Sequence, residues 1–215
     1  MRLARPQTAA APLLFSLPHG LDLGGVTSWA VRLANGLAAR DRLVGMVVHP
    51  RGNGQPAAQL EFHPGVVRIM PDGWPHMGEC RGALAAYLPT YRRVIDDLAV
   101  AAYGAAGGPV VISPNILGDS YGIAAALCTT QADRVRVLAW QHADSDYDTA
   151  VLKRYEPIVS KFVAIDQRYI GSLSMLFPGR ERDISTIPHG VAVPDSQPRP
   201  RRPLAGRPIE LIYTG

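Results

Sequence analysis

The stretch PLLFSLPHGLDLGGVTSWAVRLANGLAAR, residues 12–40, decides how the rest of the chain is arranged. It begins with a short apolar run closed by Pro18, which is typical of a strand buried on both faces of a parallel sheet. It ends with apolar residues at helical spacing, which predict one buried helix face made of Val26, Trp29, Ala30, Leu33, Ala34, Leu37 and Ala38. The helix is therefore expected to start at the glycine pair Gly24 and Gly25.

The glycine pair stands where a strand passes into a helix. A helix N-terminus presents unpaired N–H groups and the positive end of the helix dipole, and a glycine there lets an anion approach without meeting a Cβ. We therefore predict a phosphate-binding loop formed by Gly24, Gly25, Val26 and Thr27. The alternative, a tight turn that binds nothing, stays open at this point.

Two familiar nucleotide-binding patterns do not occur in this loop. The sequence contains no G-x-x-x-x-G-K-[ST], and its glycines are not spaced as G-x-G-x-x-G. The second predicted strand ends in His49 and Pro50 rather than in an acidic residue that would hold a ribose. A nicotinamide-dependent dehydrogenase is therefore disfavoured.

The rest of the chain alternates between strand and helix patterns. Further strands are predicted at residues 43–48, 66–70, 109–113, 135–140, 161–165 and 184–187. This alternation predicts one α/β domain with a doubly wound, mostly parallel Rossmann-like sheet in the strand order 3-2-1-4-5-6-7. Ligands of such sheets bind beyond the carboxyl ends of the strands, where Asn115 and His142 would join the glycine loop.

Composition indicates a globular protein with one large domain. The 215 residues suffice for one α/β domain with a core and are few for two. No apolar run is long enough to span a bilayer. Cys80 and Cys128 are too few for a disulfide framework, so we expect reduced thiols and a cytoplasmic location.

The positive charge is concentrated near the end of the sequence. Residues 178–208 contain six arginines against three acidic residues, in a chain whose net charge is +4. Such a stretch is typical of a solvated linker, and peripheral contact with anionic lipid at the inner face of a membrane is the open alternative. Aromatic residues do not alternate with these arginines, so no nucleic-acid partner is expected.

The densest polar cluster, HADSDYD at residues 142–148, contains a D-x-D pattern. Alternating carboxylates can hold a divalent ion against nucleotide phosphates, so a metal-dependent transferase using Asp144 and Asp146 is one interpretation. An EF-hand is excluded because Thr149 stands at the position that requires glycine. The simpler interpretation is that these carboxylates lie at a helix N-terminus, where they favour the helix dipole.

Three landmarks in sequence order resemble a known family. They are the loop from Leu17 to Val26, the segment IPHGV at residues 187–191 and the segment IYTG at residues 212–215. Together they resemble the N-terminal domain of a GT-B glycosyltransferase, specifically the retaining glycosyltransferase family 4. The chain departs from the family pattern at His189, where Asn is usual, and at Asp166, where Ser is usual.

The resemblance implies a function and a domain plan. It implies that the parent enzyme moves a sugar from a nucleotide-diphosphate sugar to a glycan, lipid or small-molecule acceptor, with no obligatory metal. His142 would lie near the donor sugar as the catalytic residue, and His19, Asn115 and Asp144 would contact the acceptor or the sugar. Residues 1–188 would form the acceptor-side domain, 189–208 a linker and 209–215 the first strand of a truncated second domain. A non-catalytic Rossmann-like module that binds a phosphorylated ligand is the remaining alternative.

Overall fold

The computed structural model of the chain describes residues 10–52, 57–74, 77, 84–115 and 118–190. Its seven strands are β1 (Leu13–Leu17), β2 (Val44–Val48), β3 (Val66–Ile69), β4 (Val110–Ser113), β5 (Val135–Gln141), β6 (Val159–Ala164) and β7 (Ile184–Thr186). Its five α-helices are α1 (Gly25–Ala38), α2 (Leu88–Tyr103), α3 (Gly118–Thr130), α4 (Asp146–Tyr155) and α5 (Arg168–Leu176).

The strands form one sheet in the order β3-β2-β1-β4-β5-β6-β7, and every neighbouring pair is parallel. β1 lies third in this order, between β2 and β4, and the chain switches there from one side of the sheet to the other. Central strands of such a sheet are covered on both faces, and β2 is accordingly buried along its whole length. The predicted fold class and strand order are confirmed.

The core lies on both faces of the sheet. On one face α1 packs with Phe15, Met46 and Trp140, and on the other α2, α3, α4 and α5 pack with Leu14 and Val47. Side chains alternate between the two faces along β1, as the period of a strand requires. Of the predicted α1 face, four residues are buried and Val26, Leu33 and Leu37 are only partly buried, whereas Thr27 and Val31 are buried although they were not predicted.

Local sequence accounts for the starts of the other helices. α2 begins at Leu88, and Pro89 stands in its first turn, where a missing N–H removes no helical hydrogen bond, so Pro89 does not kink the helix. α3 begins at Gly118, with Asp119 in its first turn, where a carboxylate is favourable. α4 begins at Asp146, because the Ser145 side chain caps it by accepting the Asp148 N–H.

Some predictions fall on parts of the chain outside the described residues. These are Cys80, most of the predicted linker and the predicted strand at residues 209–213. Cys128 is a free thiol on α3, and partial burial raises its pKa. None of the helices within the described ranges is long and apolar enough to cross a membrane.

Candidate functional site

A cleft of about 250 Å³ opens beyond the carboxyl ends of β1 and β4, at the topological switch point of the sheet. The residues that line it are Leu17, Pro18, His19, Asp22, Gly24, Gly25, Val26, Thr27, Asn115 and Tyr147. Six of the eight predicted site residues are therefore brought together here. The other two, His142 and Asp144, are not among the lining residues.

The loop between β1 and α1 is held against the end of β2. Gly20 donates its N–H to the Leu17 carbonyl at 3.1 Å, and the His49 N–H donates to the same carbonyl at 3.0 Å. Further along, the Ala58 N–H donates to the Leu21 carbonyl at 3.0 Å. These bonds fix the path of the chain before it enters α1.

The N-terminus of α1 is not capped by a side chain of its N-cap residue. Gly24 is that residue, in extended conformation with φ −147° and ψ 151°, and the helical ladder starts when the Ser28 N–H donates to the Gly24 carbonyl at 3.0 Å. The N–H groups of Gly25, Val26 and Thr27 come before this first helical hydrogen bond, so they have no partner within the helix. A Cβ built on Gly25 would meet nothing within 4 Å, so the helix start is open to a ligand.

A carboxylate that was not predicted stands beside this helix start. The Thr27 hydroxyl donates to Asp22 Oδ1, and the Gly24 N–H donates to the Asp22 carbonyl at 3.1 Å. A Cβ built on Gly24 would lie 3.5 Å from Asp22 Oδ2. An acidic residue near a helix N-terminus is favourable, and here it also introduces negative charge into the lining of the cleft.

Asn115 lies at the carboxyl end of β4 with an uncommon backbone conformation. Its φ is +49°, and asparagine tolerates this left-handed region better than most residues. The side chain is 3% exposed, donates from Nδ2 to the Ser16 carbonyl at 2.8 Å and accepts from the Ser113 hydroxyl at 3.2 Å. The side chain predicted to contact sugar therefore ties β1 to β4 beneath the cleft.

His142 lies in a cluster of four rings. Its ring centroid is 4.6 Å from that of Trp29, 6.1 Å from that of Trp140 and 5.5 Å from that of His189. His189 also stacks on Trp29 at 5.2 Å. Neither ring nitrogen of His142 has a hydrogen-bond partner within the described part of the chain. Both nitrogens are enclosed by the protein, so the hydrogen bonds that a buried imidazole usually makes are missing among the described residues.

The environment of His142 keeps its imidazole neutral. Burial, with a smaller contribution from nearby His189, lowers its pKa from 6.5 to about 4. The ring can therefore offer one donor and one acceptor at neutral pH. Sequence alone did not reveal this cluster, although Trp29 on the predicted buried face of α1 and His189 in the IPHGV segment are its other members.

We expect this histidine to weaken folding in acid. Between pH 6.5 and pH 4 the unfolded chain binds a proton at residue 142 that the folded chain rejects, so stability falls as the pH is lowered through 6.5. From pH 7.5 to pH 5 this contributes a loss of about 2 kcal/mol in the free energy of unfolding. The variant His142→Phe keeps a ring at this position and removes the proton-binding site.

Urea unfolding of the wild-type chain and of His142→Phe at both pH values measures the effect. Other titrating groups change both proteins alike, so the difference between the two pH-dependent losses isolates His142. The wild type should lose about 2 kcal/mol more than the variant. Equal losses in the two proteins would show that His142 is solvated and titrates normally.

The D-x-D cluster lies at the N-terminus of α4, where Ser145 is the N-cap residue. The Asp148 N–H donates to Ser145 Oγ at 3.1 Å, and the Ala143 N–H donates to Asp148 Oδ2 at 3.2 Å. Burial raises the pKa of Asp148, whereas Asp144 and Asp146 are exposed. No three His, Cys, Asp or Glu side chains are grouped to hold a metal ion in the ranges that the structure describes.

Tyr147 connects this cap to the cleft. Its hydroxyl accepts the N–H of Gly118, the first residue of α3, at 3.0 Å. The side chain is half exposed and lines the cleft, whereas Asp144, the residue of this cluster that we had predicted to contact the acceptor or the sugar, does not. The residue of this cluster that lines the cleft is thus the tyrosine between the carboxylates.

Comparison with known proteins gives structural matches only. No protein family and no curated protein matches the chain. A sucrose-phosphate synthase from Thermosynechococcus elongatus is 15% identical, with a TM-score of 0.49 over 83% of this chain and 89% of that chain. An α-glucosyltransferase in complex with UDP-glucose and DNA containing an abasic site is 11% identical, with a TM-score of 0.47 over 82% and 41%. UGT2 of Phytolacca americana is 10% identical, with a TM-score of 0.47 over 87% and 53%.

The chain spans about half the length of the α-glucosyltransferase and UGT2 chains. At 10–15% identity such a likeness concerns the fold and assigns no residue a role. The fold itself rests on the strand order and on the position of the glycine loop. By these features the chain is a Rossmann-like α/β domain of the type predicted from its sequence, and the solved structures similar to it include those of glycosyltransferases.

Proposed function

We propose that the chain is the acceptor-side, N-terminal domain of a retaining glycosyltransferase of the hexosyltransferase type. The observation that carries this proposal is the open start of α1 at Gly25, inside a cleft at the switch point of a parallel sheet. Backbone N–H groups there favour a diphosphate, the group that leaves when a nucleotide-diphosphate sugar reacts.

In the proposed reaction the bond between the anomeric carbon and the diphosphate oxygen breaks. A bond forms between the anomeric carbon and an acceptor oxygen, and the acceptor hydroxyl proton passes to the diphosphate or to water. The N–H groups of Gly25, Val26 and Thr27 would stabilise the charge that develops on the diphosphate. The family resemblance would place His142 near the donor sugar, and its imidazole is neutral at pH 7.

Asp22 does not block this approach. Its carboxylate stands beside Gly24, whereas the space beside Gly25 is empty. The diphosphate would therefore meet the helix N–H groups from the side of Gly25. The Asp22 carboxylate and the diphosphate would still repel each other, because both lie near the start of α1. The second half of a two-domain enzyme would therefore supply most of the affinity for the donor.

No obligatory metal is part of this proposal. The alternative is a metal-dependent transferase that uses Asp144 and Asp146, whose exposed carboxylates remain accessible to an ion. A chelator separates the two, since the alternative requires that activity be lost when divalent ions are removed. The third candidate, a non-catalytic module that binds a phosphorylated ligand, predicts binding without turnover.

The parent protein, extended past Gly215, should release nucleoside diphosphate from at least one common nucleotide sugar, with or without a chelator. The 215-residue chain should show no turnover and weak binding, because most contacts to the donor would come from the second half. NMR of the product should show that the anomeric configuration is retained. Absence of release from the parent with UDP-, GDP-, ADP- and dTDP-sugars would refute the proposal.

A further inference from the structure

The lining of the cleft carries negative but no fixed positive side-chain charge. Asp22 is the carboxylate, and no lysine or arginine occurs among the described residues that form the walls. The remaining surface is mostly apolar and includes Leu17, Pro18 and Val26. On the side of Asp22, away from the open start of α1 at Gly25, such a lining disfavours a further anionic group besides the donor diphosphate, because a phosphate close to this carboxylate would have to lose water against a like charge.

The carboxylate retains capacity for a ligand. Asp22 Oδ1 accepts the hydroxyl of Thr27, and an ionised carboxylate has about four lone-pair sites on two oxygens. Hydroxyl groups that donate to a carboxylate form short hydrogen bonds, roughly twice as strong as those between neutral groups. A ligand with adjacent hydroxyl groups can therefore bind to Asp22 while the bond from Thr27 is kept.

Tyr147 supplies a flat apolar wall at the same cleft. Half of its side chain is exposed, and its hydroxyl is anchored to the Gly118 N–H at 3.0 Å, which limits rotation of the ring. A fixed aromatic face next to a hydrogen-bonding carboxylate suits a molecule with one apolar face and a rim of hydroxyl groups. A sugar or cyclic polyol ring has this character.

We infer that the part of the cleft between Asp22 and Tyr147 binds the acceptor, and that the acceptor is a neutral sugar or polyol whose hydroxyl groups donate to Asp22 and whose ring packs on Tyr147. This inference rests on the proposed function and names the substrate class of the same site. A phosphorylated acceptor is the competing possibility, and the charge of Asp22 opposes it.

The test compares paired acceptors with the parent protein. Glucose and myo-inositol are assayed against glucose 6-phosphate and myo-inositol 1-phosphate, and nucleoside diphosphate release is corrected for release without acceptor. At least one neutral acceptor should have a kcat/KM at least tenfold above that of its phosphorylated partner. Asp22→Asn should raise the KM for the neutral acceptor about tenfold, because it removes a charge-assisted hydrogen bond.

Asp97→Asn is the matched control, since it removes one carboxylate from the exposed surface of α2 and should leave the KM unchanged. The inference would be overturned if the enzyme preferred the phosphorylated acceptors, or if Asp22→Asn kept the wild-type KM. In either case, release of nucleoside diphosphate from the donor would still support the proposed function. No release from the donor under any condition would overturn both.

A binding measurement that needs no turnover accompanies the assay. Ligand-observed NMR of the 215-residue chain with methyl glucoside should show saturation transfer, which Asp22→Asn and Tyr147→Ala should each weaken. Glucose 6-phosphate should show less transfer than methyl glucoside. Stronger transfer to the phosphate ester would contradict the inference even if a variant failed to fold.

Discussion

Replacing Gly25 with valine should reduce the kcat of the parent enzyme about a hundredfold, equivalent to about 3 kcal/mol of lost transition-state stabilisation. The branched side chain would occupy the empty space beside the first turn of α1, where the diphosphate must meet the backbone N–H groups. Nothing in the protein lies within 4 Å of a Cβ at this position. The free energy of unfolding should therefore change by less than about 0.5 kcal/mol.

Gly171→Val provides a matched control for this variant. Gly171 lies in α5, and a Cβ there would also meet nothing within 4 Å. Both substitutions place valine at an exposed helical position, but only residue 25 faces the cleft. Steady-state kinetics and urea unfolding of the two variants separate an effect on the site from an effect on the helix. Wild-type turnover by Gly25→Val would mean that the glycine pair is only a turn.

The fold could be predicted because its signals are local. A strand buried on both faces is a continuous apolar run, and a helix against a sheet repeats its apolar residues at a fixed spacing. These patterns located all seven strands within two residues of their observed limits. The start of α1 could also be predicted from the sequence, since a glycine pair followed immediately by an amphipathic stretch leaves few other places for the helix to begin.

The chemistry of the site was harder to predict from the sequence, because it depends on contacts between residues that are far apart in the chain. His142 meets Trp29 and His189 only after β5, α1 and the segment beyond β7 have been brought together. The contact between Asp22 and Thr27 depends on the backbone angles of the loop, which no spacing rule specifies. Among the three carboxylates of the D-x-D cluster, the exact start of α4 decided that Asp148 is the buried one, in the first turn after the N-cap residue Ser145.

The conformational role of each glycine in the loop was also hidden from the sequence. Gly20 and Gly25 lie five residues apart in one glycine-containing loop, yet their surroundings are opposite. Gly25 faces empty space, whereas a Cβ on Gly20 would lie 2.4 Å from the His49 carbonyl oxygen. Gly20 also has a φ of +65°, in the left-handed region that side chains with a Cβ disfavour. One glycine therefore leaves room for a ligand, and the other allows the loop to pass the end of β2.

Gly20→Ala should accordingly lower the free energy of unfolding by about 3 kcal/mol, by adding left-handed strain and a clash with rigid backbone. For a domain of this size, the melting temperature should fall by about 6–12 °C. Gly179→Ala isolates the strain alone, because Gly179 has a φ of +86° and a Cβ there would meet nothing within 4 Å. That control should cost only about 1 kcal/mol. Thermal and urea unfolding of both variants measure the difference, and equal destabilisation would show that the loop moves away from β2 at little cost.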